Sequence, residues 1–150
     1  MTYSEIRKNE EVLTFIKKGN ANLGAMGFTD HSEAHSGLVS ERAAEILEAG
    51  KRPFLLGGEH LVTLGAFRAA LKKYPDLCMI HFDAHTDLRE DYLGVPLSHA
   101  CVIRRCWELA GDGRIHQFGI RSGVREEFLF GKEHTDLHAL TFDGSAEVVD

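Results

Sequence analysis

Residues 77–82 read Leu-Cys-Met-Ile-His-Phe, an apolar run broken only by His81. A run of that length without alternation suits a strand covered on both faces, and such strands belong to parallel sheets packed between helices. The flanking pattern agrees. Residues 53–56 form a second short apolar run closed by Gly57-Gly58, Ile115–Ile120 a third, and 138–142 a weaker fourth. Between them the sequence predicts helices over 38–49, 62–73, 98–110 and 124–134. Gly50 ends the first, Ser98 caps the third, and Gly111-Asp112-Gly113 stops it. Upstream, 4–18 can form a helix with Ile6, Val12, Leu13 and Ile16 on one rough apolar face. Residues 20–37, rich in Gly, Ser, Asn and His, read as a loop. This alternation of strand and helix predicts an α/β chain of three layers, α/β/α, with a parallel sheet. It divides into an N-terminal helix and loop, 1–37, and one α/β domain over 38–150.

Composition excludes several function classes. With 150 residues the chain is long enough for one core and too short for two domains. Net charge is −6, and the basic pairs Lys17-Lys18, Lys72-Lys73 and Arg104-Arg105 are solvated helix faces. Neither nucleic acid nor an anionic membrane is expected as a partner. Residues 1–18 mix charges throughout, so no signal peptide is expected, and no run approaches the roughly 18 apolar residues of a membrane span. Three cysteines without a Cys-x-x-Cys pattern read as reduced thiols of a cytoplasmic protein.

In open parallel sheets, ligands sit beyond the carboxyl ends of the strands. Two segments with chemical potential lie there and are expected on one edge: Gly57-Gly58-Glu59-His60 and Asp83-Ala84-His85-Thr86-Asp87. In extended backbone Asp83, His85 and Asp87 would point to one side. Two carboxylates and an imidazole so close repel or bind protons unless a cation neutralises them. Mixed carboxylate and imidazole donors suit Mn²⁺, with Zn²⁺ and Fe²⁺ left open. The plainer reading is a hydrogen-bonded Asp/His turn; His60, arriving from a neighbouring strand end, favours the metal. His81 shares parity with Asp83 but lies deeper, in the core or behind the ligands. His99 falls in the first turn of a predicted helix. His31 and His35 have metal-ligand spacing only on a helix, and their surroundings read as surface loop.

These motifs resemble the ureohydrolase (arginase/agmatinase) family. Gly57-Gly-Glu-His60 with Leu61-Val-Thr-Leu64 is similar to its first signature, and His81-Phe-Asp-Ala-His-Thr-Asp-Leu-Arg89 to its second. Ser98-His-Ala-Cys-Val-Ile-Arg-Arg105 and Gln117-Phe-Gly-Ile-Arg-Ser-Gly-Val-Arg-Glu-Glu127 resemble its agmatinase-type members. The likeness runs over about 40–143. It implies an arginase-like fold, two Mn²⁺ ions sharing one activated solvent, and hydrolysis of a linear guanidino compound. Agmatine, giving putrescine and urea, is the expected substrate, with guanidinobutyrate open. It further implies that His60 and Asp87 hold one ion, His85 the other, and that Asp83 bridges both. Asp87 would carry a proton to the leaving amine, and His99 would relay protons to bulk water. Homo-oligomers are usual in the family.

The sequence also departs from the family pattern. A later Asp-x-Asp strand should complete the two-metal site, and these 150 residues contain no Asp-x-Asp. The family's early strand and Pro-Gly-x-Arg loop are missing too, so the chain is expected to cover about half of a family member. Four of six expected ligands are present, which predicts impaired activity of this polypeptide alone. The competing class is a noncatalytic metal-binding fragment. A mononuclear zinc deacetylase shares an Asp-x-His strand end but is disfavoured by Asp87 and by Gly-Gly-Glu-His60.

Overall fold

A computed structural model describes residues 33–56, 59–140 and 146–148. The expected helix at 4–18, His31, the Gly57-Gly58 pair and residues 141–142 lie outside them. Two helices come first, α1 (Glu33–Glu48) and α2 (Val62–Lys73). The first begins inside the segment expected to be loop, so His35 is on a helix. It stops where Gly50, at φ 74°, donates to the Leu47 carbonyl while Lys51 donates to that of Ile46. Such paired back-bonds satisfy carbonyls left over at a helix end, and glycine adopts that φ without a Cβ clash. The two helices touch through small side chains: Ala43 and Leu47 of α1 against Ala69 of α2, flanked by Ala44, Ala66 and Ala70. Gly65 marks the closest approach, where a Cβ would sit 2.4 Å from the Ser36 carbonyl oxygen. At the far end the Lys73 ammonium donates to the Leu47 carbonyl.

The sheet follows, with β1 (Met79–Phe82), β2 (Ile115–Ile120), β3 (Asp136–Leu140) and β4 (Ala146–Val148) lying side by side in chain order. The first three are parallel, with Met79 beside Ile115 and His116 beside Asp136; β4 returns antiparallel to β3. Between β1 and β2 run a 3₁₀ turn (His99–Cys101) and α3 (Val102–Ala110); α4 (Arg125–His134) joins β2 to β3. As expected, Ser98 starts the third helical segment, its hydroxyl accepting from the Ala100 N–H.

One face of the sheet carries the core. Leu61, Leu64 and Phe67 of the α2 region meet Val102, Ile103 and Cys106 of α3, with Leu88 and Ile115 between them and Met79 and Phe130 at the margin. Each fully buried aliphatic side chain there contributes roughly 1.5–3 kcal/mol. The opposite face is open among the described residues: Ile80 is 65% and Phe82 78% exposed. The described residues thus form the sheet and one helical layer of the three-layer architecture. The expectation that 77–82 is covered on both faces is corrected, since a parallel strand keeps its apolar pattern whether or not the second layer is in place. Residues 53–56 are not a strand either. No described strand lies beside them, and Phe54 and Leu56 are 86% and 91% exposed. An apolar run becomes a strand only when another backbone satisfies its N–H and C=O groups.

Candidate metal centre

Where β1 ends, the chain turns. The Asp83 N–H still donates to the Phe118 carbonyl of β2, and Gly119, at φ 83° in an irregularity of that strand, lies beside the Asp83 carbonyl, 3.3 Å from where its Cβ would be. The Asp83 carboxylate then accepts the His85 N–H at 2.8 Å, a short side chain closing a turn on its own backbone. The even spacing of Asp83, His85 and Asp87 therefore does not act through extended backbone. Asp87 sits at φ 51°, a left-handed conformation uncommon outside glycine. That conformation aims its carbonyl at the start of α3, where it accepts from the N–H groups of Ile103 and Arg104. Helix-start donors have no partner within the helix, so this contact fixes Asp87 against α3.

Glu127 holds the same loop from the other side. One of its carboxylate oxygens accepts the Thr86 hydroxyl at 2.7 Å and the Leu88 N–H at 3.3 Å. The other accepts the Val124 N–H at 2.8 Å and faces Arg89 Nε at 3.4 Å. In the sequence Glu127 only closes a family-like stretch, with no role of its own assigned to it. Its signal was the Glu at the third position of a helix beginning after Val124, where a carboxylate can reach back to the N-terminal N–H.

His60 arrives through the turn before α2, in which the Glu59 carboxylate accepts the Leu61 N–H at 2.8 Å. Its Nδ1 lies 2.9 Å from Asp87 Oδ2. The Asp87 hydrogen bond raises the His60 pKa above the ordinary histidine value against an opposing effect of burial. Behind it, His81 Nε2 is 3.5 Å from Asp83 Oδ2, and burial pushes the His81 ring below the ordinary value. Burial works to raise the Asp83 pKa, but the His85 N–H and the neighbouring His81 hold it below the usual carboxylate value. His60, His81, Asp83 and Asp87 each offer a donor atom, all within 4.8 Å of one another.

Of the residues singled out from sequence, His60, Asp83 and Asp87 come together. His85 stays outside that group, its ring 63% exposed and its Nδ1 3.3 Å from Asp83 Oδ1. His99 stands exposed on the rim of the same cavity, of about 420 Å³, with Tyr92 edge-on at 5.5 Å and the Ser98 hydroxyl 3.4 Å from its Nδ1. Arg89, Ser122 and Glu127 also line it. The donor set fits a divalent cation: two carboxylates held this close repel, and a cation among them removes the repulsion.

The sequence matches the arginase family over residues 2–148. An agmatinase of Bacillus subtilis is 52% identical over 106 residues, which make up 71% of this chain and 36% of that protein. Among solved structures, a candidate agmatinase from Clostridium difficile superposes with a TM-score of 0.67 at 51% identity, over 70% of this chain and 39% of its own. An arginase from Medicago truncatula superposes with a TM-score of 0.64 at 28% identity, over 81% and 39%. The chain spans about a third of the length of the curated agmatinases it matches. The family match, the superposed sheet and the cluster at its edge agree: the chain belongs to the arginase family.

Proposed function

We propose that these residues supply the first metal-ligand cluster of a ureohydrolase acting on a linear guanidino compound, with agmatine converted to putrescine and urea. The observation that carries the proposal is the convergence of His60, Asp83 and Asp87 beside a cavity at the end of β1, in a chain whose relatives include agmatinases. In this reading Mn²⁺ is the ion: in the complete two-metal site His60 and Asp87 would hold one, His85 would hold a second and Asp83 would serve both, while these 150 residues by themselves would retain one. The ion's contribution is Lewis acidity, which makes water nucleophilic enough at neutral pH to attack a resonance-stabilised guanidinium carbon.

The chain's own groups do the rest. Asp87, next to His60 and the cavity, accepts the proton released in the attack and returns it to the departing amine. His99, exposed on the rim, relays protons between the cavity and bulk water. Substrate recognition is directed at a small cation, not at nucleic acid or a membrane; no described helix is long and apolar enough to cross a membrane. A cytoplasmic setting and a homo-oligomeric assembly complete the proposal.

Four of six ligands leave a two-metal site incomplete, so these 150 residues alone turn over poorly or not at all. The test is urea release from agmatine by the purified, Mn²⁺-supplied chain beside a full-length agmatinase. The expected result is a rate far below the full-length enzyme, with any residual rate lost in Asp87→Asn. Turnover matching the full-length enzyme contradicts the incomplete site. Zn²⁺-dependent deacetylation of N-acetylated amines contradicts the ureohydrolase reading.

A further inference from the structure

Gln117 is fully buried in the middle of β2, on the face that carries the core, and its side chain reaches the strand end from behind. Its Nε2 lies 2.8 Å from the Thr86 carbonyl oxygen. A carbonyl can only accept, so the amide nitrogen must be the end that points there. The same nitrogen is 3.1 Å from His81 Nδ1. With one amide hydrogen on Thr86, the other points at the His81 ring, and Nδ1 can only receive it through its lone pair. The ring proton therefore resides on Nε2. A doubly protonated ring is disfavoured by the same geometry, since it would set one N–H against another.

We propose that Gln117 is a positioning residue: it locks His81 into the Nε2–H form, so that His81 presents a donor to Asp83 and is not itself a metal ligand. By distance alone His81 belongs to the four-residue donor group. Its Nε2 is buried, makes no hydrogen bond within ordinary limits, and has Asp83 Oδ2 opposite it at 3.5 Å. A buried N–H without an acceptor is unfavourable, which draws that carboxylate oxygen toward it. The other Asp83 oxygen already accepts the His85 N–H. Asp83 is thus held from both sides, His60 and Asp87 complete the donors on this edge, and Thr86, whose carbonyl takes the first Gln117 hydrogen, ties the lock to the loop that bears Asp87. The proposal rests on Asp83 being a metal ligand only for its consequence; the position of the proton stands without it.

The experiment is two-bond ¹H–¹⁵N correlation of the histidine rings in the metal-free 150-residue chain, repeated with Zn²⁺ as a diamagnetic probe. The expected spectrum gives His81 a pyrrole-type Nε2 and a pyridine-type Nδ1, unchanged when Zn²⁺ shifts the His60 ring. In Gln117→Glu the new carboxylate can accept but not donate, so His81 Nδ1 becomes protonated and loses its pyridine-type signal, whether or not Nε2 keeps its proton against Asp83. A wild-type His81 with its proton on Nδ1, or one that gives up the Nε2 proton to Zn²⁺, overturns the proposal; so does an unchanged pattern in a folded Gln117→Glu variant. The wild-type spectrum decides by itself should that variant fail to fold. Absence of any Zn²⁺ effect on His60 contradicts the metal-site reading and leaves the tautomer result standing.

Discussion

At Asp87 one residue serves three structural demands: its carboxylate meets His60, its carbonyl caps α3, and its backbone sits in the left-handed region. The substitution that separates them is Asp87→Asn. Asparagine tolerates that φ and keeps the carbonyl in place, but it removes the charge. The variant should keep its cooperative urea transition within about 1 kcal/mol of wild type while losing at least about tenfold in metal affinity, read by competition with a chelating dye. Asp87→Ala should add roughly 1–2 kcal/mol of instability from backbone strain. The thiols offer a second check at this scale. Burial pushes Cys101 up to about 11 and Cys106 up to about 12, whereas Cys78 is exposed. One fast-reacting thiol is expected in the native chain and three after denaturation, measured with an aromatic disulfide reagent. Two fast thiols would mean that the α3 core is looser than described.

Helix α2 was legible because its apolar spacing and Tyr-Pro exit agree, and Val62–Lys73 forms as expected. Strand β1 was legible from its run, as was the shared edge that unites His60 with Asp83 and Asp87. What the sequence could not show depends on contacts distant in the chain. Residues 53–56 have strand composition without a described strand beside them, β4 is a three-residue return made by pairing to β3, and Glu127 works across 41 positions from Thr86. Likewise the turn at Asp83 and the left-handed Asp87 override the two-residue alternation that suggested convergence. Two predictions belong to elements. Gly65→Ala at the α1–α2 crossing should destabilise by about 1–3 kcal/mol in urea melts, because the obstacle is a backbone carbonyl. Between β2 and β3, Asp136 accepts from His116 and lies near His138, and the His116 hydrogen bond lowers its pKa. The folded value lies below the unfolded one, so its stabilisation is present above the ordinary carboxylate range and fades as pH falls through the folded value. Asp136→Asn should flatten the acid side of the stability profile below about pH 4 and leave the neutral side nearly unaffected by further pH change.

Taken whole, the described residues form a sheet with one covered face, one open face, and a donor cluster at the carboxyl ends of its parallel strands. The open face bearing Ile80 and Phe82 gives the isolated chain an aggregation liability, which charged substitutions at those two positions should reduce without touching the cluster. Family membership and fold are carried by the match over 2–148 and by the superposed structures. The claim that ties them to chemistry is that His60, Asp83 and Asp87 form a true cation site which these 150 residues leave incomplete. Equilibrium dialysis of the purified chain against Mn²⁺, in parallel with Asp83→Ala, measures this most directly. Saturable binding of one ion per chain, lost in the variant, is the expected result. Two ions per chain, or binding that is the same in both proteins, would contradict it.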